Sequence, residues 1–413
     1  MKICLFEDHK TENFYPLTLS RPVYELLCGT GTLSQKLRWL FPESEFSFFC
    51  RKYLKHHSSD FYNTHDVSLS SDSYYFLFNG RLANVEMIKS IFTESPDEEK
   101  LFLSDDSVCA AIIKGSKLKK LSDSENGLIE LNSFTDIKSE TIDLKLYNFI
   151  WDLIYDNGNR IRTEFQSFKQ FFNTGNTENN FRDIHLISPE NIIIGKGTKI
   201  YPGVVIDASD GPVIIGNNSI ILPACFIEGP CFIGDNVKIK AGSTIYQNVS
   251  IGSVCKIGGE VEDSVIMPYS NKQHSGFIGH SYIGSWVNLG ADTNCSDLKN
   301  NYSTVKVRLN QKQIDTGKQF LGLIMGDHSK TAINTMFNTG TVAGFSANIF
   351  GAGFPGKFIP SFSWGGDNLS VYDPEKAISV AEKVMMRRNI SMSTYDKELF
   401  KKIFEMTENE RKQ

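Results

Sequence analysis

The chain has 413 residues, 40% of them hydrophobic and 22% charged, with a formal net charge of −5. That length exceeds one simple core and predicts two or three domains. The acidic balance excludes a nucleic-acid surface, which needs clustered Lys and Arg, so the pairs Arg387–Arg388 and Lys401–Lys402 read as solvated helix faces. The chain opens Met1-Lys-Ile-Cys-Leu-Phe-Glu-Asp, with acids where a signal peptide keeps its apolar run, and no stretch has the length of a membrane span. Eight scattered cysteines without a CxxC read as reduced thiols. A cytoplasmic protein is expected, with no membrane and no nucleic acid among its partners.

In chain order, Lys2 to Phe6 reads as a buried strand, Thr32 to Phe41 as a helix, and Glu45 to Phe49 as a second strand. A third strand runs from Ser73 to Phe78 and ends at Asn79-Gly80, before a helical pattern from Val85 to Phe92. This alternation predicts an α/β layer over residues 1–182. From Leu144 to Phe172 the pattern is helical and broken at Asp156-Asn-Gly-Asn, which predicts two helices, and the polar Asn173 to Asn180 reads as a linker.

An isoleucine then recurs every six residues at Ile215, Ile221, Ile227, Ile233, Ile239, Ile245, Ile251 and Ile257, with Ile194, Ile200 and Ile206 in matching register upstream. Neither a helix period of 3.6 nor a strand period of 2 produces that spacing. A chain coiling in triangular turns of three hexapeptides does. Four positions after each isoleucine stand Ser219, Cys225, Cys231, Val237, Ser243, Val249 and Cys255, small or apolar throughout. A parallel β-helix is predicted over 184–365, with a loop projecting between Leu298 and Phe320. Residues 366–413 form a helical tail in which Asp373 caps a helix opening at Pro374.

After the ladder comes Asn271-Lys-Gln-His-Ser-Gly-Phe-Ile-Gly-His-Ser-Tyr-Ile-Gly-Ser-Trp-Val-Asn-Leu-Gly-Ala-Asp-Thr. It resembles the acetyltransferase core of the bifunctional GlmU-type enzymes, which make UDP-N-acetylglucosamine from glucosamine 1-phosphate, acetyl-CoA and UTP. The whole chain is more similar still to GlmU-like sugar nucleotidyltransferases of bacteria. The marks are Pro16-Leu-Thr-Leu-Ser-Arg-Pro, Asn79-Gly-Arg-Leu, Tyr269-Ser-Asn-Lys, Gly322-Leu-Ile-Met-Gly-Asp-His-Ser-Lys and Phe358-Ile-Pro-Ser-Phe-Ser-Trp-Gly-Gly.

The resemblance implies a Rossmann-type α/β nucleotidyltransferase domain of the GT-A kind, then a left-handed β-helix and the tail, assembled as a homotrimer. It implies His274 as the general base of N-acetylation, since a neutral imidazole suits proton removal from an attacking amine. It implies Lys272, Asn288, Asn294, Asn301, Tyr302 and Arg308 at the sugar phosphate, and Gly290, Ala291 and Lys330 at acetyl-CoA, the co-substrate. Thr18, Arg21, Asn79, Gly80 and Arg81 are then the nucleotide-binding residues of the N-terminal domain.

Several positions depart from the pattern. The family tyrosine after the histidine is Phe277, and its phosphate lysine is Glu262, a charge that Lys272 or Arg308 replaces. The glycine-rich triphosphate loop is Glu7-Asp-His-Lys-Thr-Glu-Asn, the catalytic lysine is Val23, and the Gly-Asp that holds Mg²⁺ is Gly80-Arg81. Arg81 as a direct phosphate ligand and Glu7 with Asp8 as a new metal site are two ways to restore that charge. The runner-up is sugar-1-phosphate nucleotidyl transfer with the β-helix as scaffold; the third is a non-catalytic binding protein. His274, His280 and His328 offer a zinc site and Asp327-His328-Ser329 a hydrolytic string, both weaker than the acyl-transfer reading. No other metal is expected.

Overall fold

The computed structural model describes residues 1–54, 69–90, 96, 98–105, 107–122, 126–130, 134–172, 183–310 and 312–412. The linker expected at 173–180 and residues 91–92 of the helix expected over 85–92 lie outside the described residues.

The N-terminal sheet contains β1 (Lys2–Phe6), β2 (Glu45–Phe48), β3 (Tyr74–Asn79), β4 (Lys100–Ser104), β5 (Ser107–Lys114) and β6 (Ser139–Thr141). Its order is β2-β1-β3-β5-β4-β6, parallel around β1 and antiparallel on both sides of β5. Because strand side chains alternate, Ile3 and Leu5 enter one apolar cluster while Cys4 and Phe6 enter another, and all four are fully buried. Helix α1 (Leu33–Leu40) starts where Thr32 and Gln35 cap each other reciprocally. Helix α2 spans Gly115–Ser122. The segment from Val85 is a 3-10 helix, Val85–Ser90, rather than an α-helix.

Helix α3 runs unbroken from Ile150 to Phe168, where the sequence pattern predicts two helices. Asn157 and Gly158 are weak helix formers, but both are held from outside. The Asn157 side chain accepts from the Gly29 amide at 2.7 Å and donates to the Asn248 carbonyl at 2.8 Å. Gly158 lies so close to Asn248 that an added Cβ would come within 1.8 Å of its Oδ1. Tertiary contacts override local propensity here.

The solenoid begins at His185–Ile187 and stacks parallel strands on three faces, nine of them on the face from Ile192–Ile194 to Phe358–Ile359. The isoleucines align coil on coil, Ile215 on Ile233 on Ile251 and Ile221 on Ile239 on Ile257. From Ile215 to Ile257 every one of the eight is fully buried, at about 1.5–3 kcal/mol each. One corner of each coil takes a left-handed residue: Asn218, Asn236, Val254, Tyr269, Trp286, His328, Ser346 and Phe362 stand in that column with φ from 53° to 68°. Asn tolerates this conformation; an aromatic side chain there is unusual.

The excursion expected to project as a loop is an antiparallel hairpin, Lys306–Leu309 with Lys312–Asp315, that folds back. Its Val305, Val307 and Leu309 are buried in a cluster shared with Phe14, Leu17 and Leu26 of the N-terminal domain. The tail supplies α4 (Pro374–Met386), capped by Asp373 as expected, and α5 (Thr394–Met406). Ile403 and Phe400 of α5 join the cluster that holds Ile3 and Leu5. The three parts therefore share cores. All eight cysteines are unpaired and buried.

Candidate functional site

The N-terminal strand ends place Glu7, Asp8 and Asn79 together, where phosphate and metal binding were expected. Each group is already occupied. The Arg81 guanidinium is fully buried and grips Asp8 through Nε at 2.9 Å and Nη2 at 2.6 Å, with further bonds to the Tyr147 carbonyl, Asn148 and Ser107. Asn79 donates to Asp8 at 2.8 Å and to the Val108 carbonyl at 2.9 Å. Glu7 receives Arg51 Nε at 3.0 Å, Arg51 Nη2 at 3.1 Å and the Val23 amide at 2.8 Å. An Asp–Arg and a Glu–Arg pair thus stand where a carboxylate-held metal and a triphosphate were sought.

The neighbouring motif residues are structural as well. Thr18 is fully buried and donates to the Thr11 carbonyl at 3.0 Å. Gly80 approaches Val23 and Tyr24 so closely that an added Cβ would come within 2.8 Å. Beside Gly80 and Arg81 lies a void of about 20 Å³, room for one water. Arg21 turns away from this place and pairs with Asp327 of the solenoid, whose carboxylate also accepts from Ser20 Oγ at 2.7 Å and the Ser285 amide at 2.8 Å. That pairing removes Asp327 from any hydrolytic string with His328 and Ser329. Ser329 donates to the Gly344 carbonyl at 2.7 Å.

On the solenoid, His274 stands exposed at a corner and, among the described residues, its imidazole makes no hydrogen bond or ion pair. The corner beneath it is rigid. Ser275 bonds Asp292 of the next coil, Gly276 sits within 2.2 Å of the Thr293 carbonyl were a Cβ added, and Asn294 accepts from the Phe277 amide at 2.8 Å. Lys272 is 3% exposed, and its ammonium donates to the carbonyls of Gly258 at 2.7 Å and of His274 itself at 3.0 Å. Burial pushes its pKa down to about 8. Lys272 thus fixes the His274 backbone instead of reaching a sugar phosphate.

Asn288 bridges the coils between Asn271 and Lys330, so Lys272, His274, Asn288, Asn294 and Lys330 are brought onto neighbouring turns. Gly290 allows its coil to approach the Ala332 carbonyl, 2.3 Å from an added Cβ, and the Ala291 carbonyl accepts from the Asn334 amide. The Lys330 ammonium donates to the His328 carbonyl at 2.8 Å and burial brings its pKa to about 8. Tyr302 is exposed, Asn301 bonds the Ser303 amide, and Arg308 lies 5.0 Å over the Phe358 ring on the back-folded hairpin.

The three histidines do not converge. His280 meets Asp297 at 2.8 Å and stacks on Phe320, while His328 is enclosed by Trp286, Phe345 and Phe400. Among the described residues no group of three His, Cys, Asp or Glu side chains is placed to hold a metal ion. One opening escaped the sequence reading. It is a cleft of about 730 Å³ between the segment from Ser20 to Trp39 and the solenoid, walled by Trp39, Phe232, Tyr269 and Trp286 with Glu25 and Asp235. Its one sequence signal is the pair of aromatic residues, Tyr269 and Trp286, at the left-handed corner where Asn stands lower down.

Residues 3–171 match the family model described as sugar nucleotidyl transferase. A bifunctional sugar-1-phosphate nucleotidylyltransferase/acetyltransferase of Sulfurisphaera tokodaii is 32% identical over 28% of this chain and 28% of its own length. A bifunctional protein GlmU of Methanocaldococcus jannaschii is 31% identical over 27% of this chain and 26% of its own. The chain thus spans under a third of each relative. A solved Arabidopsis UDP-N-acetylglucosamine acyltransferase covers 56% of this chain and 90% of its own, with 15% identity and a TM-score of 0.18. Among the described residues no helix is long and apolar enough to cross a membrane. The stretch that resembles a sugar nucleotidyl transferase, residues 3–171, is followed in this chain by a parallel β-solenoid and a helical tail.

Proposed function

We propose that the protein transfers an acyl group from acyl-CoA, acetyl-CoA in the first instance, to the amine of a sugar phosphate on the solenoid. The observation that supports it is the exposed His274, whose ring is available while the corner beneath it is fixed by Lys272, Ser275 and Asn294. As the amine nitrogen attacks the thioester carbonyl, His274 takes its proton, the tetrahedral intermediate collapses, and CoA leaves as the thiolate. A positioned base of this kind supplies roughly 10²–10⁴ in rate. Lys272 holds the His274 carbonyl, so it acts as a positioning residue. The homotrimer, in which a neighbouring chain faces His274 and completes the groove, belongs to this reading, as does a cytoplasmic location.

Nucleotidyl transfer by the N-terminal domain is the second reading, favoured by the family of residues 3–171. Against it stand the two arginine–carboxylate pairs, in which Arg51 holds Glu7 and Arg81 holds Asp8. Mg²⁺ would need Glu7 or Asp8 released from its arginine. The two readings part in one experiment. Acetyl-CoA with glucosamine 1-phosphate should release CoA thiol, and His274→Ala should abolish that release. Pyrophosphate release from UTP and a sugar 1-phosphate, unaffected by His274→Ala and without CoA release, would sink the acyl-transfer reading.

A further inference from the structure

The solenoid has three faces, and helix α3 lies on one of them. On that face Phe232 packs with Ile161 and Phe165, while Tyr282 and Ile324 share a cluster with Trp151 and Ile154. The outward side chains of the other two faces stay partly exposed over the coils from Lys199 to Glu262. Each ladder isoleucine points inward, so the residues on either side of it point out. One open face stacks Lys199, Ile220, Lys238 and Lys256 in a single outward column, with Leu222 and Lys240 beside it. The other stacks Phe226, Thr244 and Glu260, and its adjoining column holds Asp207 and Glu228, with Glu262 two coils above Glu228. One face is basic and its neighbour acidic.

Among the described residues, none of Lys199, Lys238, Lys240, Lys256, Glu228 and Glu262 makes a salt bridge within the chain. Each face is crowded with its own sign. Burial, then the charges of Arg388, Arg387, Lys238 and Lys240, push the Lys256 pKa down. Burial, then Asp207 and Asp210, push Glu228 up, and burial, then Asp263, push Glu262 up. The heights also match. Lys256 shares its coil with Glu260 and Glu262, and the apolar Ile220 and Leu222 share theirs with Phe226. Lys238 and Lys240 lie level with Tyr246, which has Glu228 one coil below and Glu262 one coil above. Successive coils are about 4.8 Å apart, within reach of a lysine stem.

We propose that the basic face of one copy docks on the acidic face of the next, coil against coil, and so closes a ring of three chains. A rotation axis parallel to the solenoid keeps every coil at its own height, so Lys256 meets Glu260 and Glu262 while the apolar coil meets the apolar coil. Two different faces make a heterologous contact, and three copies are the fewest that close one. His274 stands at the corner between these faces, after Asn271–Lys272 on one and before Phe277–Gly279 on the other. Docking therefore sets a neighbouring chain beside it. The inference rests on the homotrimer of the acyl-transfer reading and gives it a contact; its test reads mass rather than turnover, so either can fail alone.

Sedimentation velocity of the full chain measures the assembly. A trimer is expected. Raising salt from about 0.1 M to about 1 M shortens the screening length from about 10 Å to about 3 Å and should weaken association about 10-fold or more. Lys238→Glu with Lys256→Glu, and separately Glu228→Lys with Glu262→Lys, should each weaken it about 100-fold or more, with unchanged circular dichroism. The chain carrying all four changes should regain the trimer, which a folding defect would not produce. A monomeric native chain, a trimer that either reversed pair leaves intact, or a fourfold variant that does not reassociate would each overturn the proposal.

Discussion

Replacing Asp8 by Asn keeps the shape of the side chain and removes the charge that faces Arg81. In the native protein Arg81 makes contacts of 2.6, 2.9 and 3.2 Å to that carboxylate, with a further 2.6 Å bond to the Tyr147 carbonyl. Both side chains are buried, 0% and 7% exposed. The variant strands a guanidinium away from water, and breaking a buried pair in this way costs about 3–5 kcal/mol. Urea denaturation followed by circular dichroism reads the loss as a lower midpoint at unchanged slope. The double variant Asp8→Asn/Arg81→Met should recover part of it, because no charge is then left unpaired. If Arg81→Met instead keeps full stability and loses nucleotide affinity, Arg81 is a phosphate ligand and the ion-pair account of the N-terminal site is wrong.

Ile239→Ala, in the middle of the ladder and fully buried, should cost about 2–5 kcal/mol in the same assay; a neutral result would mean that the coils do not close on that side chain. Gly158→Ala should lower the thermal midpoint although alanine is the better helix former, because its Cβ would press on Asn248; a raised midpoint would show that α3 does not dock as described. Lys272 binds its proton less tightly folded, at about 8, than its ordinary 10.5. The unfolded chain therefore holds more protons between those values, and stability relative to Lys272→Met should rise as pH climbs from 8 to 10.5, by up to about 3 kcal/mol. A flat difference across that window would contradict the buried amine.

The solenoid is legible in the sequence because one physical demand, a branched apolar side chain inside each corner, repeats every six residues from Ile215 to Ile257. The N-terminal sheet is legible for a similar reason, since Ile3 to Phe6 is buried on both faces. Helix α3 is misread at Asn157-Gly158 because its support comes from Gly29 and Asn248, far away in the chain. The hairpin at Lys306–Asp315 reads as a free loop because its apolar partners, Phe14 and Leu17, lie in another domain. At the candidate site the sequence displays the departures, Arg81 for an acid and Val23 for a lysine, without displaying what they pair with. Asp8 and Glu7 answer that only in three dimensions. The cleft is hidden for the same reason, since Trp39 and Trp286 become facing walls only after docking.

Acyl transfer at the solenoid corner rests on His274, and kcat/KM for CoA release from acetyl-CoA and glucosamine 1-phosphate, compared between the native protein and His274→Ala at matched thermal stability, tests it most directly. The account predicts turnover in the native protein and a fall of roughly 10²–10⁴ in the variant. Native turnover that His274→Ala leaves intact, or no CoA release by the native protein, would contradict it.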